Sequence, residues 1–205
     1  MQAREDRARR RAIQRMVGAH KNFEHCIFLA LFNFREGRID QAVQAVAMSQ
    51  DQPYVEAYDD GASKFYLGDD GALIAYFAGE YDLCLSMCKK LLADKTTDPW
   101  GHLFVGRTEQ RIQAAALFMK GDQTAATALM RRIIDDGKHD NVVSTDTVKS
   151  DEALLDAMQK NNTGFVKDFR NWVNDVVWFS PSNRSVALYP ASWLSENIDR
   201  DLVQL

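Results

Sequence analysis

A chain of 205 residues, 46% apolar and 26% charged, suffices for one domain with its own core, and no apolar run approaches the ~18 residues a membrane span needs. Its three cysteines, an odd number, exclude a disulfide framework. The formal charge of −4 conceals an asymmetry: taking Arg4, Arg7, Arg9, Arg10, Arg11 and Arg15 with Glu5 and Asp6 from the 25 basic and 29 acidic residues leaves 19 and 27, so the body is acidic and a broad nucleic-acid-binding surface is disfavoured.

In chain order, residues 1–20 form a charged N-terminal helix, with no long apolar stretch after the arginines, which argues against a secretory signal and for a cytoplasmic location. The helix turns apolar through Phe23, Ile27, Phe28, Leu31 and Phe32 and reaches a turn at Gly37. Ile39, Ala42, Val43, Val46 and Ala47 then share one helical face, and Asp51-Gln-Pro53 ends that helix. The next helix starts near Pro53. Gly61, Gly68 and Gly71 predict a break near Leu67 to Asp70, with Asp69 or Asp70 capping a renewed helix. Its return helix carries Leu83, Cys84, Met87, Cys88, Leu91 and Leu92.

Asp98-Pro99 opens a helix to about Lys120. Its partner carries Ala126, Leu129, Met130, Ile133 and Ile134, with Gly137 as the expected C-terminal cap. Residues 138–149 read as a polar loop, and Ser150-Asp-Glu as the start of a shorter helix ended by Asn161-Asn162. Phe165, Phe169, Trp172, Val173 and Val176 recur at helical spacing, and the tail holds a short β-prone piece from Val186 to Tyr189.

The glycines carry a period. Gly37 to Gly79 and Gly79 to Gly121 are both steps of 42 residues, with an alanine seven before each (Ala30, Ala72, Ala114) and an aromatic three before (Phe34, Tyr76, Phe118). A unit of this length is normally two helices that cannot bury their apolar faces alone. The expected fold is a single all-α domain of stacked antiparallel helical hairpins: three repeats over residues 21–137, then a helical C-terminal cap over 138–205. A further step of 42 lands on Thr163-Gly164, where the alanines are missing, so this segment reads as a degenerate cap.

Catalytic chemistry finds no foothold. His20 and His25 are five apart and diverge by about 140° on a helix, which is poor for a shared metal. P-loop, G-x-S-x-G, H-E-x-x-H and G-x-G-x-x-G patterns are missing. No catalytic residue, metal site or cofactor is therefore expected, and the three cysteines read as small buried apolar side chains. Acidic pairs with interspersed tyrosines are the stronger signal. Capping and solubility explain many of them. A surface for a basic protein partner is the functional alternative, with Tyr54, Tyr58, Asp59, Asp60, Asp69, Asp70, Glu80 and Asp82 as its candidates. The glycines around Asp59, Asp60, Asp69 and Asp70 suggest an irregular, exposed segment.

The glycine punctuation with its preceding aromatic resembles tetratricopeptide-like helical hairpins, although that repeat is about 34 residues long. Tyr66-Leu-Gly-Asp-Asp-Gly-Ala-Leu73, Tyr76-Phe-Ala-Gly-Glu-Tyr-Asp-Leu83 and Tyr189-Pro-Ala-Ser-Trp-Leu194 are similar to an all-helical immunity family of bacterial polymorphic toxin systems, immunity family forty-nine. The resemblance implies a cytoplasmic, non-catalytic protein that neutralises a cognate toxin by binding it, and it transfers no shared functional residue. A helical scaffold or adaptor for a peptide is the second expectation, and an enzyme without a recognised motif the third.

Overall fold

Among the described residues, the chain reverses direction four times through one kind of hydrogen-bonded turn. The computed structural model describes residues 23–52, 63–93, 101–140, 143–167 and Phe169, and every regular element among them is α-helical. These are α1 (Phe23–Arg35), α2 (Ile39–Gln50), α3 (Ser63–Ala78), α4 (Tyr81–Ala93), α5 (Gly101–Met119), α6 (Gln123–His139), α7 (Thr145–Gln159) and α8 (Thr163–Lys167). None of the described helices is long and apolar enough to cross a membrane. The arginine-rich start, Trp172 and its helix, and the segment from Val186 to Tyr189 lie outside the described residues.

Each turn uses the same pair of backbone bonds. Gly37 N–H donates to Phe34 O at 3.0 Å and Arg38 N–H to Asn33 O at 2.9 Å. The pattern repeats at Gly79 and Glu80, at Gly121 and Asp122, and at Asn161 and Asn162. It satisfies the last helical carbonyls and requires a left-handed residue just past the helix end. Gly37, Gly79 and Gly121 supply φ of 72°, 83° and 94°. Asn161 supplies 53° and is the single described non-glycine residue at positive φ, a role asparagine tolerates better than most side chains. The last turn therefore falls at Asn161, not two residues on at Thr163-Gly164. Leu154, Met158 and Val166 stand where the earlier turns have Ala, an aromatic and Ala or Cys, and all three are buried.

So short a connection obliges two helices packed on each other to run antiparallel. Within pairs, α1 packs on α2, α3 on α4, α5 on α6 and α7 on α8. Between pairs, α1 packs on α3 and α3 on α5, while α2, α4 and α6 each reach the first helix of the next pair. One core results, and periodicity accounts for it: Phe23, Cys26, Ile27, Ala30 and Leu31 make a single buried stripe on α1, and Cys84, Met87, Cys88 and Leu91 do so on α4. Phe169 joins them, edge-on to Tyr76 at 4.8 Å and stacked on Phe77 at 6.0 Å.

Three sequence expectations give way. No break interrupts α3 at Leu67 to Asp70, because Gly71 serves packing: a Cβ there would stand 2.7 Å from Ile27 Cδ1 and 2.9 Å from Met87 Cε, so its absence lets α1 and α4 close on α3. Gly137 is not a cap either. It is buried inside the last turns of α6, where a Cβ would meet Val148 Cγ2 at 3.4 Å. The polar stretch before Ser150 is mostly helix, since α7 begins at Thr145 with Ser144 as its N-cap, the hydroxyl accepting from Thr147 N–H at 3.1 Å. Its inner stripe, Val148, Asp151, Leu154 and Met158, contains a carboxylate, which hid the pattern.

Candidate functional site

The chemistry-bearing side chains gather in two places, a buried polar seam between helix pairs and an exposed edge along the turns. The seam has a register. Ten residues before the turn residues 37, 79, 121 and 161 stand Ile27, Asp69, Arg111 and Asp151. Ile27 belongs to the core, and the three that follow are ionisable, Arg111 and Asp151 buried and Asp69 half-buried.

Arg111 on α5 and Asp151 on α7 form a bidentate pair, with Nε donating to Oδ1 and Nη2 to Oδ2, both at 2.6 Å. The residues are 3% and 1% exposed. Planar guanidinium and carboxylate match in shape, and ionised partners make the bonds short. Such a pair offsets much of its own desolvation, whereas removal of one partner leaves a bare buried charge.

Asp69 on α3 meets no cation among the described residues. Its carboxyl lies beside that of Glu109 on α5, with Asp70 adjacent. Glu109 is 1% exposed and Asp70 8%. Asp69 as a residue is half-buried, yet its Oδ1 is enclosed. Asp69 Oδ1 and Glu109 Oε2 have no hydrogen-bond partner. Burial, then the charges of Glu109 and Asp70, hold Asp69 well above the usual carboxylate range. Burial pushes Glu109 up to about 8, against hydrogen bonds from its own backbone and from Asp69 that act downward.

The thiols of α4 complete this region. All three cysteines are free and buried. A hydrogen bond with Cys84, then burial, pushes the Cys88 thiol up, and the charges of Cys84, Glu109 and Asp69 add to it. A thiol held protonated is a poor nucleophile and a poor metal ligand. Among the described residues no group of three His, Cys, Asp or Glu side chains is arranged to hold a metal ion. Burial likewise raises the Tyr76 hydroxyl, which donates to Val166 O across to the last helix pair.

The exposed edge is built by the turns. The carboxylate of Asp82, after the second turn, pairs with Lys120 at the third. Gln123, after the third, donates to Met158 O before the fourth at 2.7 Å. Along this edge Asp40, Glu80, Asp82 and Asp122 are exposed, and Asp122 also caps α6 by accepting from Ala125 N–H at 3.0 Å.

The sequence candidates therefore separate. Glu80 and Asp82 lie on the exposed edge, with Tyr81 half-buried between them against Tyr76. Asp69 and Asp70 do not lie on an irregular, exposed segment; they sit within α3, facing inward or nearly so, because Gly71 draws that helix into the core. Tyr54, Tyr58, Asp59 and Asp60 lie outside the described residues. Glu109, Arg111 and Asp151 were not singled out from sequence. Aligning the helices on their turn residues would have exposed two of them, as charges repeated at one register position. No protein-family model, curated protein or solved structure matches this chain.

Proposed function

We propose that this chain is a non-catalytic, cytoplasmic binding protein, a stack of tetratricopeptide-like hairpins that neutralises a bacterial toxin domain by covering its basic active-site cleft. The observation that supports it is the acidic edge: Asp40, Glu80, Asp82 and Asp122 follow successive turns, and the Asp82–Lys120 pair and the Gln123–Met158 bond tie the second, third and fourth turns side by side. Complementary charge speeds encounter with a basic partner, and an acidic body repels nucleic acid from the same surface. The likeness to immunity family forty-nine supplies the partner class. Asp69 and Asp70 take no part in this surface; their role is internal.

The test is reconstitution with the protein encoded beside this chain. A stable complex and loss of the toxin's activity are expected. Glu80→Lys with Asp82→Lys should slow association about tenfold or more at low salt. Normal survival of cells that make the toxin but lack this chain overturns the reading.

A further inference from the structure

We propose that Asp69 and Glu109 form a proton-operated latch between the second and third helix pairs: α3 stays against α5 while both carboxyls are protonated, and loss of a proton from the pair opens that seam. Three structural facts carry it. The two carboxyls come from different, mutually packed helix pairs and lie close enough to act on each other's charge, so two carboxylates there would repel. Each also has an enclosed oxygen, Asp69 Oδ1 and Glu109 Oε2, that no donor serves, so charge arriving there finds no partner. The equivalent position one pair later holds Arg111, and that residue is engaged by Asp151.

Among the described residues the surroundings offer little relief. From α3 itself comes Asp70, another acid, and from α4 come Cys84 and Cys88. On α1 the described titratable groups are His25 and Cys26, and neither is among the groups acting on the pair. Asp40 on α2 is exposed, as are Lys167 on α8 and the ionisable side chains of α6. Lys90 on α4 is turned to the end of α2, where its Nζ donates to the carbonyls of Ser49, Gln50 and Gln52.

The direction with pH follows. Below about pH 4 the same carboxyls are protonated in the unfolded chain too, and the pair contributes its full stability. As pH rises, the unfolded chain releases protons that the folded chain keeps, and the contribution is lost through the folded value of Glu109, about 8. Because the two groups are coupled, the steps belong to the pair. Since α3 and α5 lead directly into the second and third turns, opening the seam shifts Glu80 and Asp82 relative to Asp122. The latch does not depend on what that edge binds.

Thermal unfolding of the full chain against pH tests it. Wild type should lose roughly 5–10 °C in Tm between about pH 6 and pH 9, and Glu109→Gln, which cannot ionise, should lose much less. Parallel profiles overturn the proposal. Should that variant not fold, the carboxyl carbons of wild type can be followed by NMR: a step above neutrality assigned to Asp69 or Glu109 supports the latch, and titration of both below about pH 5 overturns it. Calcium or magnesium chloride that stabilises wild type while sparing Glu109→Gln also overturns it, because a cation would then fill the gap between the carboxyls.

Discussion

The α5–α7 and α3–α5 seams place polar groups inside the same core and resolve them in opposite ways. In the first, Arg111 and Asp151 cancel each other's charge through two bonds of 2.6 Å. In the second, Asp69 and Glu109 bring like charges together and leave two enclosed oxygens without donors. Burial is nearly equal at Arg111, Asp151 and Glu109, so depth alone does not explain the contrast. What differs is the sign of the partner. An opposite partner converts desolvation into a fixed joint, whereas a like partner makes the joint depend on a proton. Neighbouring helix pairs in one core can thus have one permanent and one conditional seam.

That contrast can be broken experimentally, and the largest effect belongs to the permanent seam. Asp151→Ala should destabilise by about 3–5 kcal/mol in urea unfolding, because Arg111 keeps its charge in the core. Adding Arg111→Met should recover much of the loss, as replacing both partners by apolar groups is often close to neutral. If the double variant is no better than the single, the pair is not an isolated joint.

At the conditional seam the sign should reverse. Glu109→Gln is expected to raise Tm at about pH 8 and to change it little near pH 4, where wild type is protonated in any case. A loss of stability at the higher pH would mean that Glu109 is held by attraction, not by a proton.

Two controls lie outside both seams. Gly121→Ala should cost about 1–2 kcal/mol, since φ of 94° is unfavourable with a Cβ, and equally at both pH values. Asp82→Ala removes an ion pair whose carboxylate side is 85% exposed, so its effect on stability should stay below about 1 kcal/mol and shrink with salt. Larger effects that vary with pH would show that turns and seams are not independent.

The turn residues show how much of the fold is readable along the chain. Gly37, Gly79 and Gly121 each do in three dimensions what their spacing implies, because the turn bonds close within six residues. Asn161 does the same work but breaks the interval by two, so it was legible as a helix end and not as the fourth turn of the series. Apolar stripes on α1, α2, α4 and α6 were equally legible, their periodicity being a property of each helix alone. Gly71 was misread as a helix breaker because its role depends on Ile27 and Met87, residues of two other helices. Asp69 and Asp70 were misread as exposed for the same reason, and Asp151 broke the apolar pattern that would have placed the start of α7 at Thr145.

Sequence by itself thus determined the helical character of the described elements, the position of three reversals and the residues of most inward stripes, since local hydrogen bonds and helical periodicity decide them. Tertiary structure decided the rest: which glycine opens a turn and which admits a neighbour, and which acids face water and which face each other. The physical reason is partner identity. The energy of a buried charge is set by the group that meets it, and Arg111 and Asp151, or Asp69 and Glu109, are 40 residues apart in the chain until the helices pack.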